Sequence, residues 1–195
     1  MKNTASYIAD LKIAFDARRA FENAKAKDSS SNIHKTLAAL EKSVTRDAIA
    51  KVFVAHNIDA NLINRAVRAD SRINVYAFEK IENIASALLK AQALNHYSRA
   101  ILATAKALTE NDMQLTNQDA QSACTLDFKL KDAKREKLVH KYQKHVAYST
   151  ATTQSSSSLE ALCTFNILKR GKNESGETVY ILQNNESAKA LCANL

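Results

Sequence analysis

The sequence contains no proline and only two glycines, Gly171 and Gly176, in 195 residues. Proline and glycine mark the turns between strands, so a sandwich, a barrel or a doubly wound sheet would need many more of them. Alanine, leucine, lysine and glutamate, which favour helix, are plentiful. The sequence therefore predicts a mainly α fold, with one local exception close to the C-terminus.

The net charge of +8 and the pI of about 9.4 suit a nucleic-acid partner or an anionic surface. The three cysteines, Cys124, Cys163 and Cys192, form no CxxC motif and leave an odd count. A disulfide framework is therefore not expected, and a reducing cytoplasm is the expected location. Asp10 and Asp16 interrupt the N-terminal segment, so we expect neither a signal peptide nor a membrane partner.

Residues 1–93 are predicted to form a helical domain. Apolar residues recur at helical spacing over residues 4–27, and a polar break at residues 28–32 precedes the next helix. A longer helix is expected over residues 74–93. We expect a bundle of this kind to carry homodimerisation or to contact a partner protein.

The segment 46–68 allows two interpretations. Two short helices joined by a tight turn at residues 56–59 would form a helix-turn-helix. The alternative is a plain αα-hairpin in the bundle, with a solvated basic face. The alternative is favoured because no glycine lies at the turn. In either case the second helix would expose Asn61, Asn64, Arg65 and Arg68.

The second half of the chain begins with an amphipathic helix over residues 96–111. Thr116 then precedes a short amphipathic run, and Asp119 stands three residues after it. This pattern is close to a capping box, with aspartate in place of the usual glutamate. We therefore expect another helix to begin at Thr116 and to extend to about residue 124.

Residues 129–145 are predicted to form a strongly basic helix with few apolar residues. Over residues 127–172 the chain has ten Lys or Arg against four Asp or Glu. Clustered positive charge of this kind neutralises phosphates and releases counterions; the alternative is a solvated basic helix without a ligand. The residues expected to contact phosphates are Lys134, Arg135, Lys137, Lys141 and Lys144.

Four consecutive serines, residues 155–158, precede Leu159 and Leu162. Serine is a mediocre helix former, so a flexible linker is one interpretation. The favoured interpretation is a helix whose small polar turns enter a DNA groove, while its apolar end is anchored in a core. Glutamine can bind adenine, and a serine hydroxyl can reach a base or a phosphate. The residues expected to face the groove are Gln154, Ser155, Ser156 and Ser157, with Ser158 facing inward.

The two glycines lie in a predicted β-hairpin. Residues 167–170 and 177–182 have the apolar and β-branched character of strands, and the loop between them, residues 171–176, is rich in turn-forming residues. Glycine supplies the permissive backbone that a hairpin loop needs. This hairpin is the local exception to the helical fold.

The order of helix, strand with Lys-Arg, polar loop and returning strand resembles the winged helix-turn-helix superfamily, as in MarR-like DNA-binding proteins. The resemblance covers residues 95–195. Residues 155–162 correspond to the recognition helix, and residues 166–168 stand where the family usually has Gly-Leu-Ile. Asn166 replaces that glycine, and asparagine also tolerates the left-handed conformation.

The resemblance implies that residues 94–195 form a winged-helix domain behind an N-terminal helical bundle. It also implies that the residues of the hairpin wing lie on DNA. The segment 129–145 would be either an insertion or the second helix of the motif. The wing residues expected to bind DNA are Lys169, Arg170, Lys172 and Asn173.

The sequence shows no motif for catalysis, a cofactor or a metal. The glycine-rich phosphate loops and the H-E-x-x-H zinc motif are missing. His140 and His145 are five residues apart, which is not the spacing of a same-face pair on a helix. We therefore expect a double-stranded DNA-binding protein in transcription or replication. A helical protein adaptor is the main alternative, followed by a nuclease subunit.

Overall fold

The computed structural model describes residues 3–25 and 30–195. The chain divides into two compact units, Met1–Gln92 and Ala93–Leu195, one residue from the division expected from the sequence. Helix predominates in both units, which confirms the mainly α prediction. None of the described helices is long and apolar enough to cross a membrane.

The first unit contains α1 (Thr4–Lys25), α2 (Ser30–Val44), α3 (Asp47–Ala55) and α4 (Val75–Leu88). The predicted end of the first helix at residues 26–27 and the first part of the polar break, residues 28–29, lie outside the described residues. The break does not reach residue 32 as predicted, because α2 already includes residues 30–32. The helix predicted over residues 74–93 ends earlier, at Leu88.

Aromatic rings form the core of the first unit. Phe15 and Phe53 each meet Phe78 edge to face, with ring centroids 5.9 and 6.4 Å apart, a favourable geometry for ring quadrupoles. The hydroxyl of Tyr7, on α1, donates a hydrogen bond to the carbonyl of Ile58 at 2.8 Å. Because the four aromatic residues are all buried, the unit has a continuous core that connects α1 to α3 and α4.

The second helix predicted within residues 46–68 is wrong. Asp59 caps only a short 3₁₀ helix, Ala60–Asn64, and the chain then forms a hairpin of β1 (Ala66–Arg68) and β2 (Ser71–Arg72). The physical reason lies in α1. Buried Arg18 donates hydrogen bonds to the carbonyls of Ile63 (2.6 Å) and Ile73 (2.8 Å). These bonds hold Ile63 and Ile73 close together, so the residues between them form a hairpin.

The second unit, Ala93–Leu195, is described throughout and contains five helices. They are α5 (His96–Thr109), α6 (Asn117–Ala123), α7 (Ala133–Leu138), α8 (Tyr148–Thr164) and α9 (Glu186–Cys192). An antiparallel sheet has the order β3–β5–β4, with β3 at Leu115–Thr116, β4 at Leu168–Lys172 and β5 at Thr178–Leu182. Helices α5, α6 and α8 pack together, and β5 pairs with both other strands.

The basic helix predicted over residues 129–145 is also wrong. Only α7 is helical; it is capped by Asp132 and buries none of its residues. Beyond Leu138 the chain is irregular, and its backbone binds the end of α6 instead: the N–H of Tyr142 donates to the carbonyl of Ala123 at 2.8 Å. A long helix with so few apolar residues has little to bury, so these tertiary hydrogen bonds prevail.

The serine run is helical, which excludes the flexible-linker interpretation. Helix α8 begins at Tyr148 and contains the whole run. Ser155 and Ser157 are buried, so the expectation that they face a groove is wrong, whereas buried Ser158 faces inward as predicted. The hydroxyls of Ser155 and Ser157 donate to carbonyls three or four residues earlier. Small side chains at these positions let α8 approach its neighbours closely.

Four helices end without glycine by using other residues in the left-handed conformation. Asn57, Lys90, Asp112 and Asn166 have φ values of 52°, 56°, 56° and 52°. After α8, the N–H of Ile167 donates to the carbonyl of Leu162 at 3.0 Å, the hydrogen bond of a Schellman motif. The left-handed conformation predicted for Asn166 is therefore confirmed. These ends explain how a helical chain folds with so little glycine.

The predicted hairpin is confirmed, but only one glycine has the expected role. Gly176, at φ +78°, closes a three-residue loop, and its N–H donates to the carbonyl of Asn173 at 2.9 Å. Gly171 instead lies within β4, opposite Val179. A Cβ on Gly171 would lie 3.7 Å from Ile181, an ordinary contact. The explanation of Gly171 as a loop residue is therefore wrong.

Candidate nucleic-acid interface

The outward face of α8 is polar but carries no positive charge. Ser149, Thr153 and Ser156 are exposed at helical spacing, and half-buried Glu160 follows on the same face. Gln154, next to Thr153 in the chain, is half-buried. No Lys or Arg occurs within α8. The helix itself can offer hydroxyl groups to a ligand, whereas attraction to phosphate has to come from neighbouring segments.

The strand that follows α8 supplies some of this charge. Lys169, Arg170 and Lys172 are all exposed. The guanidinium of Arg170 lies 3.9 Å from the carboxylate of Glu160, which brings β4 beside the outward face of α8. It also lies 5.6 Å from the centre of the Tyr180 ring. The hairpin therefore places Arg170 next to the polar face of the helix, with Lys169 and Lys172 exposed on the same strand.

Asn173 has a clear structural role in the hairpin loop. Its side-chain oxygen accepts hydrogen bonds from the N–H of Glu177 and the hydroxyl of Ser175, both at 2.8 Å. The side chain is half-buried. These bonds fix the loop that Gly176 closes, so the geometry of the loop accounts for an asparagine at this position.

The segment before α8 supplies a second set of cations. Lys134, Lys137 and Lys144 are exposed. So are Lys129 and Lys131, which we did not single out from the sequence, although they fall within the basic stretch. Within the described part of the chain, none of these five lysines has an ion-pair partner. Their ammonium groups are therefore accessible to a phosphate.

Arg135 and Lys141, by contrast, hold the segment in place. Arg135 binds buried Asp119 and the carbonyl of Gln114, and the hydrogen bond with Asp119 raises the pKa of Arg135. The ammonium of Lys141 lies 2.7 Å from the carboxylate of Glu136 and donates to the carbonyl of Phe128 at 2.6 Å. Both cations are engaged within the protein.

The predicted capping box at the start of α6 is confirmed and explains the position of Asp119. The hydroxyl of Thr116 accepts a hydrogen bond from the N–H of Asp119 at 3.2 Å, and the carboxylate of Asp119 accepts from the N–H of Thr116 at 2.7 Å. One carboxylate therefore caps α6 and binds Arg135. This links α6 directly to the segment that carries the exposed lysines.

Comparison with protein-family models finds no match for this chain. Comparisons with curated proteins and with solved structures find no match either. In the residues that the structure describes, no group of three or more His, Cys, Asp or Glu side chains is placed to hold a metal ion.

Proposed function

We propose that the second unit is a winged helix-turn-helix domain that binds double-stranded DNA. In this proposal α6 and α8 are the two helices of the motif, and the β4–β5 hairpin is the wing. Helix α6 is assigned the role of first helix because it packs against α5 and α8, whereas α7 buries none of its residues. The segment 124–147 is then an insertion between the two helices.

One observation carries the proposal: exposed cations lie near both ends of the polar face of α8. The ring of Phe128 is 5.7 Å from that of Tyr148, so the segment with Lys129 and Lys131 starts beside the first turn of α8. At the other end, β4 contacts Glu160 through Arg170. Cations near both ends of a helix face whose one charged residue is half-buried Glu160 suit contacts with the phosphate backbones that border a groove.

The interface has a defined division of roles. Phosphate contacts come from the exposed cations, and they give binding that is independent of sequence and weakened by salt. Ser149, Thr153 and Ser156 are the α8 residues whose hydroxyls can reach base edges. Ser155 and Ser157 are excluded because they are buried, and Arg135 and Lys141 serve the fold. The phosphate-binding residues are Lys129, Lys131, Lys134, Lys137, Lys144, Lys169, Arg170 and Lys172.

Charge reversal tests this proposal. Lysines 129, 131 and 134 are changed together to glutamate, and the affinity for a fluorescent 20-base-pair duplex of arbitrary sequence is measured by anisotropy. The control reverses three exposed lysines of the first unit, Lys12, Lys35 and Lys42. Both variants change the net charge equally, so only a local interface distinguishes them.

We expect the first variant to lose at least tenfold in affinity and the control to lose much less, because steering by the overall charge is weaker than direct phosphate contact. Equal losses would assign binding to net charge alone. Full affinity in the first variant would remove the segment from the interface. Circular dichroism and thermal unfolding of each variant establish that the fold is intact.

A further inference from the structure

A cleft of about 520 Å³ opens in the second unit between the start of α6, residues 128–135 and Tyr148. Its size falls within the usual range for a small-ligand pocket. It lies beside α6 and the first residue of α8, the two helices assigned above to the DNA-binding motif. The cleft was not used in that assignment, and its side chains have a chemistry of their own.

An aromatic platform forms one side of the cleft. Tyr148, the first residue of α8, is 60% exposed. Its ring contacts that of Phe128 at an interplanar angle of 57°. The carbonyl of Phe128 accepts hydrogen bonds from the ammonium of Lys141 at 2.6 Å and the hydroxyl of Ser122 at 3.0 Å. These bonds hold the backbone of Phe128 in place, and the exposed ring of Tyr148 beside it is available for base stacking.

The charges around the cleft separate into an engaged set and an accessible set. Asp119 is bound by Arg135, and Asp132 accepts hydrogen bonds from two N–H groups at the start of α7. Lys129 and Lys131 are exposed and have no ion-pair partner in the described part of the chain. The third carboxylate, Glu177, is exposed on the hairpin. The lining is therefore close to neutral, with two accessible cations, which suits a base better than a free phosphate.

We propose that this cleft takes one unpaired nucleotide of a duplex, with its base stacked on Tyr148 and its phosphates on Lys129 and Lys131. Stacking needs the face of a base, which is hidden within a duplex and accessible once the base leaves the stack. The amides of Gln118 and Gln121 also line the cleft and can bind the edge of the base. This inference rests on the proposed duplex binding.

The test compares a blunt 20-base-pair duplex with one that carries a single extra 2-aminopurine nucleotide in the centre. Anisotropy gives the affinity for each probe, and 2-aminopurine fluorescence reports stacking. Stacking on an aromatic side chain is worth about one to two decades in affinity. We therefore expect the wild-type protein to bind the bulged duplex about tenfold more tightly, with quenching of the 2-aminopurine.

Three variants locate the effect. Tyr148→Ala should abolish both the preference and the quenching, and Tyr148→Phe should retain both because the ring remains. Tyr76→Ala is the matched control, since Tyr76 is also 60% exposed but belongs to the first unit. Equal affinity of the wild-type protein for the two probes would overturn the inference while leaving duplex binding intact.

Two other outcomes are equally decisive. A preference that survives Tyr148→Ala would place the unpaired nucleotide elsewhere and would also overturn the inference. Failure to bind either probe would contradict the proposed function itself, together with the inference that rests on it. The ratio of the two affinities is the diagnostic quantity, because any general loss of duplex binding in a variant cancels in it.

Discussion

The guanidinium of Arg135 binds both carboxylate oxygens of Asp119, with a distance of 3.0 Å between Nε and Oδ1. Asp119 is buried at the start of α6, and Arg135 lies on α7, sixteen residues later. A bidentate pair of this kind fixes orientation as well as distance. It joins the segment 124–147 to α6 and thereby helps to determine where the exposed lysines of that segment lie.

Removing this pair should destabilise the second unit. Arg135→Ala leaves a buried carboxylate with only its capping hydrogen bonds, so we expect a loss of about 2 kcal/mol or more in the free energy of unfolding. Urea denaturation followed by circular dichroism measures it. Lys134→Ala, at the exposed neighbouring position, is the control and should change stability by less than about 0.5 kcal/mol. Similar effects of the two substitutions would contradict a structural role for Arg135.

Glu136 should make the segment 124–147 sensitive to acid. Burial alone would raise the pKa of Glu136, but hydrogen bonds from Lys141 and the N–H of Leu130 lower it below its ordinary value of 4.5. A lowered pKa in the folded state stabilises the protein above pH 4.5, and this stabilisation is lost as the pH falls through the folded-state value.

The wild-type protein should therefore be more stable than Glu136→Gln at pH 7, and the difference should shrink as the pH falls below about 4.5. Urea denaturation of both proteins at pH 7, 5 and 3.5 measures this. If the difference stays the same at all three pH values, ionisation of Glu136 does not contribute to stability.

The two glycines should respond differently to alanine. Gly176→Ala places a Cβ on a residue at φ +78°, and we expect it to cost about 1 kcal/mol because side chains disfavour that conformation. Gly171→Ala should be neutral or slightly stabilising, since the new Cβ has room within β4. Thermal unfolding compares them. A larger cost at Gly171 would contradict its placement within β4, away from the loop.

Lys90 offers a position where glycine should stabilise the protein. It follows α4 with φ 56°, a conformation in which a Cβ costs roughly 1–2 kcal/mol. Lys90→Gly should therefore raise the free energy of unfolding by about 0.5–1 kcal/mol, after the greater entropy of the unfolded glycine is subtracted. Lys90→Ala keeps the Cβ and should gain nothing. Equal stability of the two variants would show that the left-handed conformation carries no cost here.

Local signals in the sequence predicted much of the second unit. The capping box of Thr116 and Asp119, the β4–β5 hairpin and the left-handed Asn166 each depend on residues close in the chain. The inward direction of Ser155 was also readable, because it lies four residues before Leu159 and seven before Leu162, on the same face of a helix. This helical spacing predicts burial of Ser155, and the sequence prediction did not take it into account.

Contacts between residues distant in the chain determined the rest. The irregular course after α7 depends on hydrogen bonds such as that from Tyr142 to Ala123, nineteen residues apart. The projection of the β1–β2 hairpin depends on Arg18, which binds carbonyls 45 and 55 residues away. No local pattern encodes such contacts, so helical composition alone predicted helix in both segments.

The dependence of duplex affinity on salt concentration tests the central proposal, DNA binding by the second unit, most directly. For the wild-type protein and a 20-base-pair duplex, the logarithm of the binding constant should fall linearly with the logarithm of the salt concentration, with a slope of about −0.9 for each phosphate contact. The triple variant at lysines 129, 131 and 134 should flatten that slope by two to three units. A wild-type slope near zero, or no binding even at low salt, would contradict the account.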